Sequence, residues 1–422
     1  MWEKKFAPQI MRREVLAGIT TFASIAYILI VNPMILAEAG IPVKLSVFAT
    51  IFVSFTGCML MAFGADAPIV LTPGMGVNAF FTYTLVAAMG MSWQEALAVS
   101  FFAGIFFMLA ACTRCSKILS AAVPASLKYA ITAGMGLLLV EIGLEKAGLI
   151  CRGESSILMP GSLQAPSAMI ALLGLLLSLG FYLRNIRGGF LFAILITAAL
   201  GNFYDLRGSI PDSVGMQDLF NYTYIFCKMD FSYLIDFKFW MAVFSLAMIL
   251  ILESMGVLEA MLPDKHKFKK TFSCTAVTSF LSSVMGTSPA VPVSESLAGI
   301  ASGGRTGIMP GVCGVLFLLA LCFVPGIAYI PEAAIAPVII ITGAMMMQQM
   351  QYLEFNDFSE WFPAFLIIVM MPLTGSISTG LAFGFAAYPI LKFLAGKGSE
   401  VHSLGTSMGV LFLLELVFQS NF

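Results

Sequence analysis

Charge is scarce in this chain. Its 22 Lys and Arg and 23 Asp and Glu make up 11% of 422 residues, against roughly 25% in soluble domains. A polypeptide with so little charge and 59% hydrophobic residues cannot cover itself with a water-compatible surface, and its mean hydropathy of +0.95 places it in a bilayer. The net charge of -1 and the lack of a basic face exclude a nucleic-acid partner. Histidine is nearly absent: His266 and His402 both fall outside the apolar runs, so any titrating group within the membrane must be a carboxyl. The eight cysteines lie mostly within apolar runs and read as small hydrophobes. Cys112 and Cys115 form a C-x-x-C with no second pair or neighbouring histidine, so neither a metal site nor a cofactor is implied. No nucleophile, base and orienting group occur together, which argues against an enzyme. The beginning, Met1-Trp2-Glu3-Lys4-Lys5, is unlike a signal peptide, and the first long apolar run is expected to be a retained helix.

What the chain has instead is apolar runs of spanning length. A spanning helix needs about 20 mostly apolar residues, fewer where it is broken inside the protein. On that ruler seven segments precede a polar stretch at 204–237: 15–36, 44–63, 70–88, 94–112, 127–145, 166–183 and 188–203. Seven follow it, at 239–262, 271–286, 290–302, 307–324, 333–350, 360–374 and 377–394. A last apolar stretch, 406–419, contains Glu415 and reads as interfacial or packed against the bundle.

Lys and Arg collect in cytoplasmic loops, which orients these segments. Lys4, Lys5, Arg12 and Arg13 put the N-terminus inside, and Arg114 with Lys117, Arg184 with Arg187, and the group Lys265, Lys267, Lys269 and Lys270 fall on the same side. The long loop, with Asp205, Asp212, Asp218 and Asp230 against Arg207 and Lys228, falls outside. Glu354, Asp357 and Glu360 fall inside against the trend.

Seven crossings per half make any internal similarity an inverted repeat. Residues 101–112 align without a gap to 311–322, and the same offset carries Ile131, Thr132 and Met135 onto Ile341, Thr342 and Met345. Ala67-Pro68-Ile69-Val70 and Ser288-Pro289-Ala290-Val291 occupy matching places in segments 3 and 10. Proline removes an N–H and biases its predecessor to extended geometry. Each segment is therefore expected to run as a short extended stretch, able to pair with the other, before handing over to a half-helix whose N-terminal N–H groups face a cavity. Paired broken segments are a sequence pointer to a transport site.

Three polar residues stand at or near this place. Asn78 follows one broken stretch and Glu295 the other, while Glu253 directly follows the apolar run Met248-Ile249-Leu250-Ile251-Leu252, near the middle of segment 8. A charge in mid-membrane costs at least ~2.5 kcal/mol, so an intramembrane carboxylate is read as functional. An amide that donates and accepts, with carboxylates that accept, suits a flat heterocycle bearing alternating donors and acceptors. Capping by Glu295 and helix packing by Asn78 are the structural alternatives. Glu141, Glu145 and Glu259 read mainly as structural.

The blocks Ala17-Gly18-Ile19-Thr20-Thr21-Phe22, Ala26-Tyr27-Ile28, Val31-Asn32-Pro33, Pro73 to Phe81, Ser126-Leu127-Lys128-Tyr129-Ala130-Ile131, and Glu295-Ser296 through Gly303-Gly304-Arg305-Thr306-Gly307 resemble the AzgA-like purine permeases of the nucleobase:cation symporter family. The resemblance runs nearly end to end. It implies an all-α polytopic membrane protein with the fold of the uracil and xanthine permeases: 14 transmembrane segments in two inverted seven-segment repeats, with core and gate domains. The first repeat is then 1–203, the connecting loop 204–237, the second repeat 238–396 and the tail 397–422. It implies a multi-pass protein of the plasma (bacterial inner) membrane, with a cytoplasmic N-terminus, membrane lipid around it and a homodimer left open. It also implies import of adenine, guanine or hypoxanthine by proton symport with alternating access. By position the resemblance makes Asn78, Glu253 and Glu295 substrate-binding residues, with Glu253 and Glu295 also coupling protons. Ser296 adjoins them, and Phe22, Tyr27 and Phe80 are candidates to stack on the base, with core packing as the alternative for each.

The sequence departs from the family at Glu253-Ser254-Met255-Gly256-Val257, where Asp-Thr is usual, and at Pro289-Ala290-Val291-Pro292-Val293, where threonines are usual. The choice of purine is most exposed there. A uracil or xanthine permease is one alternative, and a sulfate-transporter-like anion carrier another.

Overall fold

A computed structural model of the chain describes residues 8–113, 123–153, 158–204, 206 and 215–420. The loop charges Lys4, Lys5, Arg114, Lys117, Asp205, Arg207 and Asp212, with Cys115, lie outside the described residues. The chain is mostly helical. Among the described residues, nine helical stretches are long and apolar enough to cross a membrane, from Pro8–Glu38 to Ile377–Leu394.

The first segment is α1 (Pro8–Ile25) and α2 (Ile28–Glu38), separated by a turn at Ala26 and Tyr27. It is followed by α3 (Val43–Leu60), which ends in a π turn over Met61–Ala65. Next come strand β1 (Leu71–Pro73), the short helix α4 (Met75–Ala79) with its π-helical continuation Phe80–Ala88, and α5 (Trp93–Cys112). After α6 (Ala125–Lys146), strands β2 (Ile150–Arg152) and β3 (Leu158–Pro160) form a hairpin, and α7 (Pro166–Leu183) and α8 (Gly189–Phe203) complete the first half.

The second half holds α9 (Phe237–Met261), α10 (Phe268–Val284), strand β4 (Ala290–Pro292), α11 (Ser296–Ala301) and α12 (Ile308–Leu319), which runs on as a 3-10 helix to Tyr329. It continues with α13 (Glu332–Met347), α14 (Phe358–Thr374) and α15 (Ile377–Leu394). The terminal helix α16 (Ser403–Ser420) packs along α15. Phe412 is buried there between Phe244 and Phe385.

The central feature is the pairing of β1 with β4, antiparallel, Leu71 opposite Pro292, Thr72 opposite Val291 and Pro73 opposite Ala290. Proline is tolerated because the sheet has only two strands and each keeps an edge free of ladder bonds. The pairing extends beyond the strands, where Val293 N donates to Val70 O at 3.2 Å and Gly74 N to Pro289 O at 3.4 Å.

Helix α10 explains why so polar a segment lies beside this sheet. It buries Thr271, Thr275, Thr278, Ser279, Ser282 and Ser283. Ser279 Oγ donates to Ala290 O at 2.5 Å, and Ser282 Oγ accepts from Ala290 N at 3.0 Å. These hydroxyls satisfy strand groups that water cannot reach inside a bilayer. The turn from α10 into β4 needs Gly286, whose φ of 81° suits glycine. A Cβ there would lie 2.6 Å from Ile225 O, because the loop between α8 and α9 closes over the turn.

The acidic residues near 357 have a local explanation. Lys392, 1% exposed, meets Glu360 at 2.8 Å, Glu400 at 2.7 Å and Asp357 at 3.5 Å, and Lys397 meets Asp357 at 2.7 Å. Ser126 also donates to Glu360, tying α6 to α14.

Candidate functional site

The β1–β4 pair delivers two short helices from opposite sides of the sequence to the same place. Asn78 lies in the first turns of α4 and is fully buried. Neither its Oδ1 nor its Nδ2 has a hydrogen-bond partner among the described residues. An amide buried with both ends unpaired costs free energy, so its place needs a reason other than packing.

Glu295 stands at the N-cap of α11 and its side chain does not cap the helix. Its Oε1 accepts a hydrogen bond from Tyr27 Oη at 2.5 Å. It remains half-buried beside an exposed Ser294. Glu253 lies in the second half of α9, half-buried, with Oε2 unpartnered among the described residues. Helix α9 packs against both α4 and β4, so the carboxylate-bearing helix adjoins both broken segments.

The other expected residues sit differently. Ser296 is buried and its Oγ accepts from Val70 N at 3.0 Å, which fastens the start of α11 to the approach of β1. Phe22 packs edge-on against Phe317, ring centres 5.2 Å apart. Phe80 is fully buried where α4 passes into its π-helical continuation. Tyr27 points its hydroxyl at a carboxylate and sets its ring edge-on to Phe190.

Three residues that the sequence reading did not single out hold this arrangement together. Asn32 Nδ2 donates to Thr50 Oγ1 at 2.8 Å and to Thr287 Oγ1 at 3.2 Å, while its Oδ1 accepts from Ser288 Oγ at 3.2 Å. Segments 1, 2 and 10 are thereby joined just before β4. Glu14, 1% exposed, accepts through Oε1 from Arg305 N at 2.9 Å and Thr306 N at 3.1 Å. Asp66 Oδ1 accepts from Gly307 N at 2.9 Å. These two carboxylates receive the backbone of the Gly303–Gly307 turn. An acid within an apolar helix was the available signal for Glu14, and Val31-Asn32-Pro33 was the signal for Asn32.

Helices α6 and α13 also adjoin the broken segments. They cross closely at Gly136 and Gly343, where a Cβ on either would lie 2.5 Å from the carbonyl oxygen of the other. Met135 and Met346, adjoining that crossing, are the atoms that a Cβ on Gly76 of α4 would meet at 3.0 and 3.3 Å.

The fold and these residues define a helical, multi-pass membrane protein with two proline-broken segments paired beside half-buried carboxyl groups. The chain belongs to the Permease family, whose model matches residues 12–383. It is 39% identical over 390 residues to the nucleobase transporter PlAzg2 of Paenibacillus larvae, covering 92% of this chain and 78% of that protein. It is 34% identical to the guanine/hypoxanthine permease PbuO of Bacillus subtilis, covering 99% of each. The resemblance carried by segments 1, 3, 5 and 10 therefore holds, and membership in a family of permeases sets the chain apart from enzymes. In fold it is similar to the transmembrane domain of the cyanobacterial bicarbonate transporter BicA, with TM-score 0.62, 14% identity, and coverage of 88% of this chain and 96% of that one.

Proposed function

We propose that this chain imports purine nucleobases of the adenine, guanine or hypoxanthine class, by alternating access and with protons as the coupling ion. The observation that carries the reading is the β1–β4 pair, which starts two half-helices side by side with Asn78 on one and Glu295 at the head of the other. Half-helix N-termini meeting in mid-membrane are where transporters of this kind bind substrate. The unpartnered amide of Asn78 offers two donors and an acceptor, and Glu253 and Glu295 accept. Such a set matches a planar base whose edge alternates donors and acceptors. The names of PlAzg2 and PbuO support nucleobases, and purines among them.

In this reading the chain crosses a bacterial inner membrane 14 times, N-terminus inside, as inverted repeats 1–203 and 238–396 joined by an outer loop 204–237, with 397–422 as a tail. Helix packing supports a division into core and gate. α6, α7, α8, α13, α14 and α15 pack largely on one another, whereas α5 packs on α9 and α10, and α12 on α1 and α3. Glu253 and Glu295 are the proposed proton-coupling groups, since each is a half-buried acid at membrane depth.

The fold it shares with BicA keeps an anion carrier as the second reading. Two carboxylates beside the half-helix starts oppose it, because they would repel the charge that the helix N-termini attract. Uptake of labelled adenine, guanine, hypoxanthine, xanthine and uracil into proteoliposomes, with and without an inward proton gradient, tests the proposal. Saturable purine uptake stimulated by the gradient is expected. Uptake of bicarbonate or sulfate with no nucleobase uptake would overturn it.

A further inference from the structure

We propose that Tyr27 is a positioning residue of the purine site: its hydroxyl aims the Glu295 carboxylate at the base. The proposal rests on Glu295 being a ligand of the base, as argued above. The two residues are 268 positions apart in sequence, yet Tyr27 Oη donates to Glu295 Oε1 at 2.5 Å. Tyr27 stands at the turn between α1 and α2, where its backbone stays near helical angles (φ -57°, ψ -24°) but the hydrogen bonds tighten, Leu29 N donating to Ala26 O and Ile30 N to Tyr27 O.

The phenol itself is held in place. Tyr27 is 1% exposed, and its ring meets Phe190 of α8 edge-on with centres 5.8 Å apart. Burial and this ring contact hold one donor against one carboxylate oxygen.

A carboxylate has two oxygens and accepts several hydrogen bonds. With Oε1 taken by Tyr27, the plane of the carboxylate is set and Oε2 is left for donors of the base. An acid at the head of a six-residue helix would otherwise rotate among rotamers and lose that freedom on binding, a cost that preorganisation removes. Packing alone does not require a hydroxyl at this position, since phenylalanine would keep the same ring contacts. The tyrosine acts through Glu295 and not by stacking on the base.

The test uses the full-length protein in proteoliposomes, with Tyr27→Phe, Glu295→Gln and the double variant. Binding and uptake of hypoxanthine are measured, with the thermal unfolding midpoint as a check on folding. Tyr27→Phe is expected to raise KM about tenfold or more, the usual scale for losing a hydrogen bond to a charged group, while Vmax changes much less. In the Glu295→Gln background the same substitution should add little, because the two residues act as a unit. 3-Fluorotyrosine at position 27 keeps ring and donor and should behave as the unmodified protein, which also serves should Tyr27→Phe fold poorly. An unchanged KM in Tyr27→Phe, an equal penalty in both backgrounds, or a 3-fluorotyrosine protein as impaired as Tyr27→Phe would overturn the inference while leaving the functional reading intact. Absence of hypoxanthine, guanine and adenine binding by the unmodified protein would overturn the functional reading and this inference with it.

Discussion

Gly74 joins β1 to α4 and closely faces the paired strand, so Gly74→Ala is the most direct test of whether the strand pair builds the site. Its φ of -84° and ψ of 139° are open to any residue, so alanine brings no backbone strain. The added Cβ, however, would lie 2.3 Å from Val291 Cγ2 on the paired strand, where carbons pack at about 3.5–4.0 Å. Val291 is 2% exposed and, being β-branched, is stiff about χ1. The strands must therefore part by roughly an ångström, and overpacking of this kind costs about 1–3 kcal/mol. If that energy falls on the paired state, its population drops about 5- to 150-fold relative to any state in which the strands have separated. Purine uptake in proteoliposomes should fall within that range with the protein still inserted. Gly74→Ala combined with Val291→Ala restores the space and should recover most of the uptake. Normal uptake in the single variant, or no recovery in the double, would show that the register of Thr72 against Val291 does not control the site.

Asn78→Leu removes an amide that makes no hydrogen bond among the described residues. The unfolding midpoint should hold or rise while purine binding is lost, whereas a packing role predicts a lower midpoint with binding retained. Asp357, in the loop before α14, is held well below the usual carboxyl range by its hydrogen bonds to Lys397 and then Ser359. A folded-state value depressed below the unfolded one stabilises above the unfolded value, about 3.9, and is lost as pH falls toward the folded value. Asp357→Asn should therefore lower the unfolding midpoint at pH 7, with the gap from the parent protein closing as the pH is taken below about 4.

The sequence reading and the structure agree most closely where composition alone sets the ends of a helix. α7 spans Pro166–Leu183 and α15 spans Ile377–Leu394, as the apolar runs and their flanking turns indicate. That the two proline-broken stretches could pair was also legible, because proline limits what those residues can do; their antiparallel direction came from the structure. Segment 1 was less legible. It read as one helix over 15–36, yet it begins at Pro8 and is interrupted by a turn at Ala26 and Tyr27. Every residue from Ile25 to Leu36 is buried, so no apolar pattern marks where the hydrogen bonding changes. Segment 11 likewise read as 307–324, but α12 stops at Leu319 and a 3-10 helix carries on to Tyr329 across Pro325.

For the site, what sequence could not supply was the distinction between polar groups already engaged and those still available. Asn32, Ser279, Ser282 and Ser296 are as polar and as buried as Asn78, and all engage backbone or side chains of the β1, β4 and α11 region. Buried unpartnered atoms also occur at Ser54, Thr197 and Glu14 Oε2 among others; a hydroxyl leaves a small deficit compared with a whole amide or a carboxylate oxygen in an apolar interior, and the other oxygen of Glu14 is bonded to the Gly303–Gly307 turn. Asn78 leaves two polar atoms unpaired and Glu253 leaves one carboxylate oxygen, and both belong to elements touching the β1–β4 pair. A fold that bonds Ser279, Ser282 and Ser296 beside the strand pair, yet leaves the Asn78 amide and a Glu253 oxygen without partners among the described residues, bears a cost that a ligand bringing its own donors and acceptors would offset, and this supports placing the proposed site between them.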